Sequence, residues 1–279
     1  MLLGYNTNGL AHHDPFEALA LLAEIGYESV ALTLDHGPLN PFSDDWPRQR
    51  SRLRGALDGT GMKSVIETGA RFLLDRHVKH EPTLVSKDPA DRQRRITFLQ
   101  TAIDAAEFLG SDCVSLWSGV VRDEDAKESE IWNRLDSSLR QVLDYAHSRG
   151  VVLGFEPEPG MFIDAMDCLA ALLQRLNAPH LKLTLDVGHL HCQKETPVAD
   201  YISRWSDMIV NVHIEDMRAG MHEHLMFGEG EMDFPPILAA LRQFHYRGGV
   251  HVELSRHSHE GPTAARRAYK FLAPLLAGE

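Results

Sequence analysis

Cysteine is scarce in this sequence. The three that are present, Cys113, Cys168 and Cys192, show no CxxC spacing, which excludes a disulfide framework and a cysteine zinc knuckle and indicates a reducing compartment. No apolar run approaches the roughly 18 residues that a membrane-spanning helix needs. The opening stretch, MLLGYNTNGL, has neither a basic n-region nor a long apolar h-region, unlike a secretory signal. We therefore expect a cytoplasmic protein with no membrane partner.

Positive charge is also in short supply. The sequence has 28 lysines and arginines and 40 aspartates and glutamates, which gives a formal net charge of −12. A nucleic-acid backbone selects basic surfaces, so we expect no nucleic-acid partner. Hydrophobic residues make up 43% of the 279 positions, enough to bury the core of one large domain.

Short β-branched runs alternate with longer helical patterns along the chain. After the first run, Leu2–Gly9, a helix start is marked by Asp14, Pro15 and Glu17, an N-cap, a first-turn proline and a capping-box glutamate. The later strand predictions are Glu28–Asp35, Lys63–Gly69, Cys113–Gly119, Val151–Glu158, Leu181–Gly188, Ile209–Asp216 and Gly248–Ser255. Strands that alternate with helices pair in parallel through right-handed crossovers.

Eight such units predict an α/β protein of the (β/α)₈ TIM barrel class, a single domain over residues 1–279. The alternative closure is a doubly wound open sheet. No G-x-G-x-x-G follows the first strand, which argues against the dinucleotide-binding version of that alternative.

Acidic and imidazole side chains end the last four predicted strands. They are Glu156, Asp186, His213 and Glu253. In a parallel barrel these ends meet at one rim, where three carboxylates would repel one another unless a cation lay among them. We therefore predict a divalent metal site. Three carboxylates and one imidazole favour Mn²⁺ or Mg²⁺ and also admit Co²⁺ or Zn²⁺.

The motifs FEPEPG, LDVGH, NVHIED, HLMFGEGEMDF and GVHVELS at these strands resemble those of the xylose-isomerase-like TIM barrel superfamily. Within it the chain is most similar to ketose 3-epimerases and hydroxypyruvate-isomerase-like proteins. The resemblance implies one metal on Glu156, Asp186, His213 and Glu253, with Glu156 and Glu253 as the catalytic acid–base pair. It also implies that His189 contacts substrate, and that the protein is a homo-oligomer.

The expected activity is a metal-dependent isomerisation or epimerisation of a small keto sugar. A carboxylate would remove a proton next to a metal-polarised carbonyl, and an enediolate would then be reprotonated. Candidate substrate contacts are Glu158, His189, Arg218, His224 and Trp117. Trp117 is also compatible with barrel packing, and Arg218 with a surface ion pair.

Three alternatives remain open from the sequence. The same carboxylates could serve a lyase of the inosose-dehydratase kind, and a barrel without activity could bind a ligand. An endonuclease IV-like phosphoester hydrolase would need further metals and histidines from strands two and three, where the chain offers His36 and Glu67. The long loop 71–87 is either a lid or an ordinary excursion; if Arg71 and Lys79 face inward, an anionic substrate is expected.

Overall fold

The predicted barrel is confirmed by a computed structural model, which describes residues 1–278. Eight parallel strands close in the order β1-β10-β7-β6-β5-β4-β3-β2. The barrel strands are β1 (Leu2–Asn6), β2 (Ser29–Thr33), β3 (Lys63–Glu67), β4 (Val114–Leu116), β5 (Leu153–Phe155), β6 (Leu181–Asp186), β7 (Ile209–Ile214) and β10 (Gly249–Val252). Two further strands, β8 (Asp216–Arg218) and β9 (Met221–Leu225), form an antiparallel hairpin outside the ring.

Helices follow the strands and surround the barrel. They are α1 (Pro15–Ile25), α2 (Trp46–Thr60), α3 (Pro89–Leu109), α4 (Glu128–Arg149), α5 (Met166–Leu176), α6 (Val187–Cys192), α7 (Val198–Trp205), α8 (Phe234–Gln243) and α9 (Gly261–Ala277). Short 3₁₀ turns occupy Thr7–Leu10, Gly37–Leu39 and Ser255–Glu260. In the part of the chain that is described, no helix combines the length and apolar character needed to cross a bilayer.

The predicted start of α1 is confirmed by its capping contacts. The Asp14 carboxylate accepts a hydrogen bond from the Phe16 amide at 2.9 Å, which satisfies one of the free N–H groups of the first turn. Gly26 ends the helix with a φ of +113°, a backbone conformation that favours glycine.

The apolar core lies between the strands and the helices. Phe155, Leu185 and Val212 on the strands are fully buried, as are Ile103 and Leu139 on the helices that pack over them. Because side chains alternate along a strand, every second residue points into the ring instead. Part of that interior is polar.

The polar interior begins with His251, which reaches across the neighbouring strand. Its Nε2 lies 2.9 Å from the Ser29 hydroxyl and its Nδ1 lies 2.8 Å from the Asn211 side-chain oxygen. Gly4 leaves the space for this ring, since a Cβ there would lie 2.3 Å from His251 Cδ2. The barrel floor is therefore a buried hydrogen-bonded layer beneath the rim, and burial lowers the pKa of His251 to about 3.

Candidate active site

The four predicted metal ligands converge at one end of the barrel. Glu156 follows β5, Asp186 ends β6, His213 lies in β7 and Glu253 follows β10, and one ligand atom from each lies within 4.8 Å of the other three. His213 Nδ1 is 3.1 Å from Glu156 Oε1 and 2.9 Å from Glu253 Oε2. The strands that carry them are neighbours in the ring, so the barrel itself sets their spacing.

The electrostatics of this group fit a divalent cation. Burial raises the pKa of Glu156 to about 7, because nothing close by fully compensates its charge. The pKa values of Asp186 and Glu253 are lowered: burial opposes this, but the nearby histidines outweigh it. Asp186 Oδ2 is buried without a hydrogen-bond partner, which is costly unless a cation satisfies it. Three hard oxygen donors and one imidazole nitrogen suit an ion such as Mn²⁺ or Mg²⁺.

The second ring nitrogen of His213, Nε2, contacts the carboxylate of Glu67. This contact was not predicted from the sequence. His213 Nε2 lies 2.9 Å from Glu67 Oε1, at the end of β3. Asn211 Nδ2 donates to the same oxygen at 3.1 Å, which joins Glu67 to the polar floor. A carboxylate on one nitrogen favours the proton there and leaves Nδ1 free as the ligand atom.

Glu253 is also positioned from outside the four ligands. Asn8, in the turn after β1, donates from Nδ2 to Glu253 Oε1 at 2.7 Å. The turn is itself stabilised by a hydrogen bond from the Asn8 backbone amide to Asn6 Oδ1 at 3.1 Å. Sequence reasoning missed Asn8, although its place at the end of the first strand is a signal that could have pointed to it.

A second group of polar residues lies beside the four predicted metal ligands. His189 Nδ1 is 3.2 Å from the Pro157 carbonyl oxygen and 3.9 Å from Glu158 Oε2, and its Nε2 is 3.1 Å from His222 Nε2. Burial raises the pKa of Glu158 well above its usual range and lowers that of His189. The predicted contacts Glu158 and His189 are thus brought next to the ligands, together with His222, which the sequence did not single out.

The β8–β9 hairpin carries His222 and His224 over this region. Asp216, on β8, anchors it: its carboxylate accepts the amides of Gly228 and Gly230 at 2.8 and 2.9 Å. The segment FGEGEMDF therefore wraps around a buried carboxylate. A Cβ on Gly230 would lie 2.2 Å from Asp216 Oδ1, whereas Gly228 has open surroundings and a φ of +88°, a conformation that favours glycine. His224 faces the buried Glu215, with 3.8 Å between Nδ1 and Oε2.

Trp117 and Arg218, two further predicted contacts, have different surroundings. Trp117 lines the cavity, and behind it the buried Arg95 guanidinium lies 4.1 Å from its ring centroid. Arg218 lies on the hairpin, 3.6 Å from Glu223, and donates to the Glu229 carbonyl oxygen. The structure does not place Arg218 among the residues that line the cavity.

The cavity above the four ligands has a volume of about 460 Å³. Its lining includes Glu156, Glu158, Trp117, His213, His224 and Glu253. Asp186 and His189 lie deeper, beneath the hairpin, and both are almost completely buried. The space suits a small polar molecule.

Comparison with known families decides the identity of the fold. The model of the family described as xylose isomerase-like TIM barrel matches residues 19–275. The chain belongs to this family.

Relatives within the xylose isomerase-like family include sugar epimerases. An L-ribulose-5-phosphate 3-epimerase of Salmonella paratyphi A is 27% identical over 251 residues, covering 89% of this chain and 84% of that protein. An L-ribulose 3-epimerase structure superimposes with a TM-score of 0.80 at 20% identity, covering 99% of this chain and 95% of the other. The 3-keto-D-glucoside 4-epimerase of Escherichia coli superimposes with a TM-score of 0.79 at 17% identity, covering 98% and 99%.

Of the two positions that bear on an endonuclease IV-like site, only Glu67 reaches the four-residue group. His36 is exposed and borders a separate surface pocket with Phe72 and Arg76. Glu67 stands at the end of β3 and bonds His213. In the described residues, strands two and three of this xylose isomerase-like barrel therefore bring no histidine of their own to the four-residue group.

Proposed function

We propose that this protein is a divalent-metal-dependent epimerase of a small keto sugar, with Mn²⁺ or Mg²⁺ as the cofactor. The observation that carries the proposal is the convergence of Glu156, Asp186, His213 and Glu253 within 4.8 Å of one another, with three of the four, all but Asp186, lining one cavity. The relatives named as sugar epimerases support the choice of reaction. A bound ion would polarise the substrate carbonyl and so acidify the adjacent C–H bond.

Glu156 and Glu253 are the proposed acid–base pair. They come from strands that lie on either side of β7 in the ring, and both reach His213 Nδ1, Glu156 at 3.1 Å and Glu253 at 2.9 Å. One carboxylate would remove the proton from the carbon next to the carbonyl, and the other would return a proton to the opposite face, which inverts that carbon. Asn8 Nδ2 donates a hydrogen bond to Glu253 Oε1 at 2.7 Å. This contact fixes the direction of the other carboxylate oxygen of Glu253.

The remaining cavity residues would orient the sugar. Glu158 would hold hydroxyl groups next to the reacting carbon, and Trp117 would provide a flat apolar wall. The predicted contact His189 lies behind the lining, with its Nε2 3.1 Å from His222 Nε2, and would act on the sugar through His222. The hairpin contributes His222 and His224 to one side of the cavity and would restrict the access of water there. Restricting water protects an enediolate from unwanted protonation.

The test is an assay in D₂O with the Mn²⁺-loaded protein. Pentuloses and hexuloses, each free and as the terminal phosphate, are incubated and analysed by NMR. We expect a new epimer that carries deuterium at the inverted carbon. Formation of a dehydrated product would assign the protein to the lyases instead, and the absence of exchange from every sugar would overturn the proposal.

Two variants test the assigned roles. Glu156→Gln and Glu253→Gln are each expected to lower kcat by at least about 10³-fold, since each removes a proton-transfer group and a charged ligand. Glu107→Gln, which removes a surface carboxylate paired with Arg149, is the matched control. Near-normal turnover in both cavity variants would refute the acid–base assignment.

A further inference from the structure

Charge is divided within the cavity. Its floor is acidic, with Glu67, Glu156, Glu158 and Glu253. One wall is basic because of Arg71 and Lys79 and comes from a single segment, the loop between β3 and α3, which also contributes His80 to the lining. A cavity that binds only a neutral sugar has no need of this wall.

The basic wall is fixed to the barrel. The His80 amide donates to the Arg71 carbonyl oxygen at 2.6 Å, which closes the neck of the loop. His80 Nδ1 lies 2.7 Å from the Gly69 carbonyl oxygen, and the His80 ring stands edge-on to Trp117 at 5.7 Å between centroids. Lys79 is therefore attached at the cavity mouth by its neighbour.

Lys79 differs from Arg71 and Arg256, the other lysine or arginine side chains that line the cavity, in having no acidic partner. Arg71 pairs with Asp35, Lys87 pairs with Asp123 at 3.4 Å, and Arg256 on the far side of the mouth pairs with Glu223 at 3.3 Å. Among residues 1–278, no carboxylate oxygen lies within the 4.0 Å ion-pair distance of the Lys79 ammonium.

The cations act together on their surroundings. Burial lowers the pKa of His80 to about 4, and the charges of Lys79, Arg95 and Arg71 add to the effect. The chain as a whole carries a net charge of −12, a field that repels anions at long range. The positive charge of Lys79 at the mouth opposes that field locally, where a substrate enters.

We propose that Lys79, with Arg71 beside it, binds a phosphate group at the end of the substrate remote from the carbonyl, so that the substrates are keto sugar phosphates. The inference rests on the proposed function, which places the reacting end of the sugar on the acidic floor. A sugar bound there extends toward the wall, and a phosphate dianion matches a lysine ammonium supported by a guanidinium.

The experiment measures binding without turnover. Ribitol 5-phosphate and ribitol are titrated into the Mn²⁺-loaded protein by calorimetry, with ribonate as a carboxylate arm. We expect the phosphate to bind at least about tenfold more tightly than ribitol, the effect of one charge-assisted contact. Lys79→Met is expected to remove most of this ratio. Lys87→Met, a lysine of the same loop that lies outside the cavity, is the control and is expected to preserve it.

Several outcomes would overturn the inference. They are equal affinity for the two polyols, tighter binding of ribonate than of the phosphate, or an unchanged ratio in Lys79→Met, which would place the phosphate on the metal. Because ribitol has no carbonyl, none of these results depends on catalysis. The D₂O assay thus tests the proposed function separately, and either idea can fail without the other.

Discussion

His213 is contacted through both nitrogens of its ring. Its Nδ1 faces Glu156 and Glu253, while its Nε2 faces Glu67 and Asn211. A histidine that binds a metal through one nitrogen commonly donates from the other to a carboxylate, which fixes the ring and raises its basicity. Glu67 occupies that position, so we infer that it positions the ligand without touching the ion.

The first prediction concerns Glu67. Replacement by glutamine keeps the shape and removes the charge, so the imidazole loses its orienting anion. We expect Glu67→Gln to weaken Mn²⁺ or Co²⁺ binding by about 10- to 100-fold. Competition with a chromophoric chelator measures the dissociation constant directly.

The Glu67 experiment needs a fold check and a control. Glu107→Gln removes a carboxylate from the surface of α3 and is expected to leave the affinity within twofold. Urea unfolding of the metal-free variants separates loss of affinity from loss of structure. An unchanged dissociation constant in Glu67→Gln would show that Glu67 plays no part in holding the ligand.

At the scale of elements, the loop after β4 packs tightly on the β3–α3 segment. Gly119 has a φ of +102°, and a Cβ there would lie 2.2 Å from Thr83 Cβ. We expect Gly119→Ala to lower the free energy of unfolding by about 2–3 kcal/mol, from backbone strain plus the clash. Gly160→Ala is the matched control: its φ is +85° but its surroundings are open, so only about 1 kcal/mol of strain is expected. Urea denaturation measures both, and equal losses would show that the contact with Thr83 does not matter.

The same segment gives a pH prediction through His80. Burial and neighbouring cations lower its pKa from 6.5 to about 4 in the folded protein. Between these values the unfolded chain binds more protons than the folded one, so stability falls as the pH drops from about 6.5 toward 4. The contribution of His80 has an upper limit of about 3 kcal/mol.

Unfolding at pH 7 and pH 5 tests this contribution. His80→Gln is expected to show a smaller loss of stability between the two pH values than the parent protein does. His77→Gln changes an exposed histidine of the same loop and is expected to behave like the parent. Identical pH dependence in all three would mean that His80 titrates normally in the fold.

The helices and barrel strands could be predicted from the sequence because each has its own hydrophobic periodicity and its own boundary residues. Asp14 and Gly26 mark one helix, and the strand ends mark the four converging residues Glu156, Asp186, His213 and Glu253. The assignment of these four to a metal stays a prediction, although their convergence agrees with it. The β8–β9 hairpin was missed because its strands are short, polar and partly exposed, without the apolar alternation that predicts a strand.

The partner of Glu67 could not be predicted for a different reason. Its place at a strand end was visible, but β3 and β7 lie on different sides of the ring. Which side chains meet across the interior depends on the stagger of the closed barrel, and that is a property of all eight strands together. Asn8 and Glu253, which are 245 residues apart in the chain, meet because β1 pairs with β10 when the barrel closes.

At the scale of the whole molecule, the four proposed ligands all come from one half of the barrel. They come from β5, β6, β7 and β10, which are consecutive in the closed sheet. Without a cation, the buried carboxylates face one another with His213, His189 and His224 to offset their charge. An ion bound only by the folded state would therefore stabilise the barrel as well as serve the reaction.

The last prediction is that Mn²⁺ raises the free energy of unfolding according to its affinity, by about 2.7 kcal/mol at a free concentration 100 times the dissociation constant. Thermal unfolding with Mn²⁺ or with EDTA measures the shift. Because the chain carries a net charge of −12, any salt also relieves general repulsion, so NaCl at equal ionic strength is the reference. The variant Asp186→Asn separates the two effects, because it removes one charged proposed ligand. The asparagine amide oxygen can still accept the hydrogen bond from the His189 backbone N–H that Asp186 Oδ1 accepts at 2.9 Å. A specific site predicts a Mn²⁺ shift above the NaCl shift in the parent protein and none in Asp186→Asn; equal shifts in both would mean that the ion acts only by screening.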